Sequence, residues 1–274
     1  MSTPYRRALL ATQGTDFDVG SERVAIDFAA GCNIELAAVH VVVSNPEFEV
    51  VAPQLVEKAE AEAVAHLDRL GEMAHKRGVT VNGIVRSGEE PYREIVDAAR
   101  ELAADVIVLR RRGRHGFVAR VLIGATVEAV IGHAPCDVLV VARAAQMWSR
   151  RIVAATDGSP HGDRAVAAAL WMAQRCKLPV TVVSVRVHPG DDQALAEANV
   201  QRAVQALTAA GIEASGKVVT GVAHEGILQV AREASADLIV VGRRGLGTVE
   251  RLLLGSTSQR VVGHAECPVL IVRG

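Results

Sequence analysis

The sequence is poor in aromatic residues: two Trp, two Tyr and four Phe, or 3% of 274 positions. A protein that grips single-stranded nucleic acid by stacking needs aromatic platforms, and few are on offer. An excess of either charge is also missing. Thirty Lys and Arg against 31 Asp and Glu leave a formal charge of −1, so nothing global draws the chain to DNA or to an anionic membrane. Cysteine is scarce. Cys32, Cys136, Cys176 and Cys267 are too few for a disulfide scaffold and too far apart for a CxxC zinc or redox pair. No run of about 18 uninterrupted apolar residues offers a transmembrane helix. The N-terminal MSTPYRRALLATQG makes a poor signal peptide, because its basic pair precedes only a short apolar stretch. The expectation is a cytoplasmic protein with no nucleic-acid or membrane partner.

What is present is a repeat. Half of the residues are hydrophobic, enough for a full core, and the length suggests two domains. YRRALLATQGT (Tyr5–Thr15) aligns with SRRIVAATDGS (Ser149–Ser159), DVIVLRRRG (Asp105–Gly113) with DLIVVGRRG (Asp237–Gly245), and IGHAPCDVLVV (Ile131–Val141) with VGHAECPVLIV (Val262–Val272). The offset falls from 144 to 131 residues along the chain, so the main length difference lies in the middle of each copy. Two copies of one domain follow, at 1–144 and 149–274, joined by a short segment without Gly or Pro.

Within each copy, short β-branched runs alternate with Ala-rich helical segments. The expected strands are Ala8–Ala11, Leu36–Val43, Val81–Val85, Val106–Leu109 and Val138–Val141, then Ile152–Ala155, Val180–Val187, Lys217–Val219, Leu238–Val241 and Val269–Val272. Continuous apolar strands between helices indicate an α/β fold with a parallel, doubly wound sheet covered on both faces. Such sheets bind ligands beyond the carboxyl ends of their strands.

Two strand ends carry candidate chemistry. After Leu238–Val241 come Gly242-Arg243-Arg244-Gly245 and, nine residues later, Gly255-Ser256-Thr257. Glycines at a strand end can form an anion nest, and a helix N-terminus beside a hydroxyl can seat phosphate. The plainer alternative is a Gly-rich turn followed by an N-cap serine. Ile152–Ala155 runs into Thr156-Asp157-Gly158-Ser159-Pro160. There Ser159 and Pro160 read as a helix cap and first turn, and Asp157 as an acceptor for a ribose hydroxyl or the adenine edge. Neither a GxxxxGK(S/T) loop nor a GxGxxG fingerprint after the first strand is present.

These residues resemble the universal stress protein family, and the resemblance covers both copies almost end to end. Gly242, Gly245, Gly255 and Ser256 match the ATP-binding signature G-x2-G-x9-G-S/T of that family in full. Asp157 stands where the family has its first-strand aspartate, and Val185 where it has a backbone contact to adenine. The resemblance implies a Rossmann-like five-stranded parallel sheet of order 3-2-1-4-5 in each copy. It implies ATP, alone or with Mg, at Asp157, Val185, Gly242, Arg243, Gly245, Gly255, Ser256 and Thr257. It also implies a nucleotide-dependent stress-response regulator rather than an enzyme, acting on an unidentified protein partner. The last strands, Val138–Val141 and Val269–Val272, would be open edges. Their pairing would make a pseudo-dimer within one chain, with or without a homodimer of chains. A weak ATPase or nucleotide-hydrolase-like enzyme, and a nucleotide-free adaptor, are the alternatives.

The first copy departs from the signature. Gln13 replaces Asp157, Arg110 replaces Gly242, ten residues rather than nine separate Gly113 from Gly124, and Ala125 replaces Ser256. A degenerate nucleotide site is expected there. Arg110, Arg111, Arg112 and Arg114 are either solvated or a new anion site. No catalytic or metal-binding residue is expected. His133 and His264 occupy matching positions and read as helix-end residues, His40 has Ser184 as its counterpart, and His224 reads as a solvated helix start. Val121-Leu122-Ile123 and Leu252-Leu253-Leu254 read as packing of a short helix or as a contact surface.

Overall fold

In a computed structural model, residues 5–111, 123–187, 192–245 and 254–274 are described. The patches Val121-Leu122 and Leu252-Leu253 and the arginines Arg112 and Arg114 lie outside them. The chain divides into two compact units, with the change between Gln146 and Met147.

The N-terminal unit runs β1 (Arg7–Thr12), α1 (Val19–Cys32), β2 (Glu35–Val43), α2 (Pro46–Val51), α3 (Pro53–His75), β3 (Val81–Gly88), α4 (Pro91–Glu101), β4 (Val106–Arg110), α5 (Ala125–His133) and β5 (Asp137–Val141). Its strands pair in parallel in the order β3-β2-β1-β4-β5. The C-terminal unit runs β6 (Ile152–Ala155), α6 (Pro160–Cys176), β7 (Val180–Arg186), α7 (Gln193–Ala209), β8 (Ala214–Thr220), α8 (Ala223–Glu233), β9 (Leu238–Gly242), α9 (Ser256–His264) and β10 (Val269–Val272). Its order is β8-β7-β6-β9-β10, also parallel. Both are the 3-2-1-4-5 sheet. The strands form because Leu9, Leu10, Ile107, Ile152, Leu238 and Ile239 are all buried in them. Each such side chain contributes about 1.5–3 kcal/mol.

The repeat motifs have structural reasons. Asp105 Oδ2 accepts from the backbone N–H of Arg6 and Arg7, and its counterpart Asp237 accepts from those of Ser149, Arg150 and Arg151. Each carboxylate pins the entry to a central strand. His133 and His264 each donate Nδ1–H to the carbonyl four residues back, at the last turn of α5 and of α9. The length difference lies between the second and third strands, where the N-terminal unit has α2 and a 23-residue α3 against the 17 residues of α7.

One helix boundary differs from the sequence reading and another agrees with it. Helix α9 begins at Ser256, with Gly255 as its N-cap, so Ser256 is the first helical residue and not the cap. Helix α6 starts at Pro160, capped by the Ser159 hydroxyl accepting from Gly162 N–H at 3.1 Å. The equivalent α1 starts only at Val19 and has no side-chain cap bond. Its first turn is lost because Asp16 stands where Pro160 pre-sets the helical φ.

Candidate functional site

The carboxyl ends of β6, β7 and β9 and the start of α9 enclose a cleft of about 560 Å³. That lies within the roughly 300–1,000 Å³ usual for small-molecule sites. Asp157, Val185, Gly242, Gly245, Gly255, Ser256 and Thr257 line it, so seven expected site residues meet in one place. Arg243 does not line it. Its N–H donates to Val272 and its carbonyl accepts from Gly255 N–H, so its backbone ties β9 to β10 and to the α9 start. Burial first, then Arg244 and Arg273, lower the pKa of its guanidinium.

The glycines act differently from expectation. Neither Gly242 nor Gly245 takes a positive φ, so no left-handed anion nest forms at them. They provide space. A Cβ on Gly242 would come within 2.9 Å of the His161 carbonyl, and one on Gly245 within 2.6 Å of Asp157 Oδ2. Gly242 lets α6 close onto the strand end, and Gly245 lets the loop reach the aspartate. Asp157 Oδ1 accepts from Ser159 N–H at 3.0 Å, which holds the carboxylate in its turn. The donors left for an anion belong to α9, whose first-turn N–H groups lack partners within the helix and carry the positive end of its dipole. Ser258 anchors that helix by donating its hydroxyl to Gly242 C=O at 2.6 Å.

Sequence reasoning missed several lining residues. Arg186 and Arg244 line the cleft, and the Arg244 Nε is buried without a hydrogen-bond partner among the described residues. Ser184 and Asn199 line it as well, with Asn199 lying against Gly158, which takes φ +77°. Two arginines, Arg186 and Arg244, and two aspartates, Asp157 and Asp192, line the cleft. Burial first, then Arg164, Arg244 and Arg243, depress the pKa of His161 beside Gly242. Arg244 was legible as a charge between two motif glycines. Asn199 was not, since only the fold of α7 brings it to the loop.

In the N-terminal unit the equivalent strand end is closed. Arg110 Nη1 lies 2.8 Å from Asp18 Oδ2 and also bonds the Thr15 hydroxyl. Arg110 is therefore neither a solvated loop residue nor an anion site. It is spent on a carboxylate that is 1% exposed. Asp18 is the counterpart of Gly162, the residue packed against Thr156 in α6. A cavity of about 480 Å³ lies beside Gln13, His40 and α3, and among the described residues it takes no lining from the end of β4 or the start of α5. Gln13 Nε2 donates to Val41 C=O at 2.9 Å.

A parallel sheet of order 3-2-1-4-5 flanked by helices defines a doubly wound α/β domain, present twice. A family model described as the universal stress protein family matches residues 4–142 and again 149–273. The chain belongs to that family, as a tandem of two domains. It is similar to a universal stress protein of Thermus aquaticus, 40% identical over 137 residues, which span 45% of this chain and 98% of that protein. It is similar to one of Mycobacterium bovis, 27% identical over 254 residues, 84% of this chain and 83% of that one. The solved structure of a universal stress protein from Archaeoglobus fulgidus shares the fold, with TM-score 0.78 and 22% identity, covering 97% of this chain and 96% of that one. Among the described residues, no helix is long and apolar enough to cross a membrane.

Proposed function

We propose that the C-terminal half binds one adenine nucleotide, ATP, and that the chain is a nucleotide-dependent stress-response regulator without turnover of its own. The observation that carries this is the convergence in one cleft of Asp157, the α9 first turn at Gly255–Thr257, and the side chains of Arg186 and Arg244. In this reading the α9 amides and Arg244 hold phosphates, Asp157 accepts from the ribose, and the β7 end at Val185 receives the base. The buried Arg244 Nε and the volume of the cleft fit such an occupant. An accompanying Mg would find the carboxylates of Asp157 and Asp192 in the cleft lining. Nucleotide binding would bias partner contacts; an effect of binding on the segment Arg243–Leu254 falls mostly outside the described residues.

Calorimetry of the full chain with ATP tests the reading. The expected stoichiometry is one, unchanged in Gln13→Ala. Asp157→Ala and Gly245→Val should each weaken binding by about 10–100-fold, the worth of a charge-assisted hydrogen bond. Unaltered affinity in both variants overturns the site, and a stoichiometry of two overturns the degenerate first half. Mass spectrometry of the purified protein for a co-purified adenine nucleotide separates a binding protein from a nucleotide-free adaptor.

A further inference from the structure

The N-terminal half buries a cluster of ionisable side chains that its twin lacks. Glu22 on α1 is buried, and its Oε1 accepts from the Thr12 hydroxyl at 2.6 Å and lies 2.9 Å from His66 Nε2. His66 comes from α3 and is buried as well. Its other ring nitrogen, Nδ1, lies 3.4 Å from Nδ1 of His40 on β2. Burial pushes the Glu22 carboxyl up, but hydrogen bonds from His66 and Thr12 outweigh that and leave its pKa below the usual value. Glu22 is therefore a carboxylate wherever histidines titrate. A carboxylate only accepts, so His66 Nε2 carries a hydrogen.

The contact between the two rings holds a single hydrogen. When His66 is neutral, its Nδ1 accepts from His40 Nδ1–H. When His66 is an imidazolium, its Nδ1–H donates to the lone pair of a neutral His40. Either arrangement fastens α3 to β2. Protonation of both rings leaves two N–H groups face to face with no acceptor between them, and two cations beside one carboxylate. The charges that face the rings come from two elements. From α1 and its N-cap these are Glu22 and Asp18, and Asp18 is tied to Arg110. From α3, Glu62 and Arg69 share the cavity wall, an acid and a base that offset each other. β1 brings the uncharged Thr12 and Gln13. His66 has no room to retreat toward β1, because its ring sits on Gly14 so closely that a Cβ there would come within 2.6 Å of Cγ. Relief lies outward, with α3.

The fold does not require this cluster. By sequence alignment, the C-terminal half has Val166 in place of Glu22 and Ser184 in place of His40. It has Asn199 over the loop glycine where His66 sits over Gly14. None of the three titrates, and burying a carboxylate with an imidazole is seldom a net gain over an apolar choice.

We propose that the His40–His66 contact is an acid-responsive latch, which holds α3 on β2 near neutral pH and releases the helix when both rings are protonated. Burial and the neighbouring His66 resist a proton on His40 in the closed arrangement. Release is driven by the proton that the open arrangement accepts.

Hydrogen exchange of the full chain at pH 7 and pH 5, corrected for the intrinsic pH dependence of exchange, tests the latch. Peptides from α3 should lose protection by about tenfold at pH 5, as linkage to one histidine of ordinary pKa allows. Those from α7, the equivalent helix, should hold within about twofold. His40→Ser and His66→Asn each put the C-terminal half's residue into the N-terminal half, so both are expected to fold, and either should abolish the loss. A loss that persists in one of the variants means that a single histidine acts without its partner, and overturns the proposal. Wild-type protection of α3 unchanged at pH 5 overturns it too. So does a loss that β1 and β4 share equally with α3, which is unfolding of the half rather than release of one helix.

Discussion

The two halves start from one sheet and part at the end of the fourth strand. In the C-terminal half Gly242 and Gly162 are both small, α6 keeps its first turn, and the cleft runs from Val185 to the α9 N-terminus. In the N-terminal half the same two positions are Arg110 and Asp18, which neutralise each other at 2.8 Å. The cavity there reaches no further than Gln13 and Gly14 along β1. An ion pair inside the chain has taken the place of a pocket that would bind charge from outside. The lesson is that loss of one glycine does not merely degrade a phosphate seat. Paired with a carboxylate at the helix start, the new arginine closes it.

Breaking that pair gives the largest expected effect. Asp18→Ala removes the acceptor for Arg110 Nη1, for the Thr15 hydroxyl and for Thr15 N–H. A fully buried pair costs about 3–5 kcal/mol when one partner is removed; about 2–3 kcal/mol is expected here because Arg110 keeps 22% of its side chain in water. Urea denaturation measures it. The C-terminal counterpart, Gly162, carries no such interaction. A cost under about 0.5 kcal/mol, the range of an ordinary surface change, would mean that the two strand ends do not differ in the way described.

A smaller effect comes from the helix starts. Ser159→Ala removes the hydroxyl that accepts from Gly162 N–H, at an expected cost of about 1 kcal/mol. Ser159 is not among the cleft-lining residues, so ATP affinity should hold within about twofold, as expected for a stability change of that size away from the ligand. A parallel loss of affinity would show that the cap also positions Asp157, whose Oδ1 accepts from the Ser159 N–H.

The sheet was legible because its strands are buried on both faces, so runs such as Val106–Leu109 and Leu238–Val241 stand out as unbroken β-branched segments. The C-terminal cleft was legible because its glycines, Ser256 and Asp157 sit at strand ends in local motifs. The start of α9 was misread by one residue because Ser256 has the look of a capping hydroxyl, and only the Gly255 cap shows it to be the first helical residue. The buried side-chain pairs of the N-terminal half were not legible. Glu22 and His66 lie 44 residues apart on two helices, and Arg110 and Asp18 lie 92 apart. No local pattern joins them. The reason for Gly242 and Gly245 was hidden for the same cause: it is set by His161 packing against the first and Asp157 against the second, not by their own φ.

The smallest effect is read as a slope, and it sharpens the comparison at His40. Burial first, then the neighbouring His66, depress the pKa of His40 below the ordinary histidine value, while Asp18 and Glu22 oppose them. A group whose folded pKa is depressed stabilises the fold fully above its unfolded pKa. That stability is lost as pH falls through the folded pKa, because the unfolded chain takes up a proton that the folded one resists. For His40 the loss begins near pH 6.5, the unperturbed value. For Glu22, also depressed, it begins only near pH 4. Between pH 7 and 5 the stability of His40→Ser should therefore fall less steeply than that of the wild type, by urea midpoints at closely spaced pH. His161 and His224 are shifted in the same direction, so the wild-type slope includes them and the difference between the two proteins isolates His40. Identical slopes would mean that His40 titrates as freely in the folded chain as in the unfolded one. The N-terminal cavity would then lack the neutral imidazole that sets it apart from the serine-lined cleft of its twin.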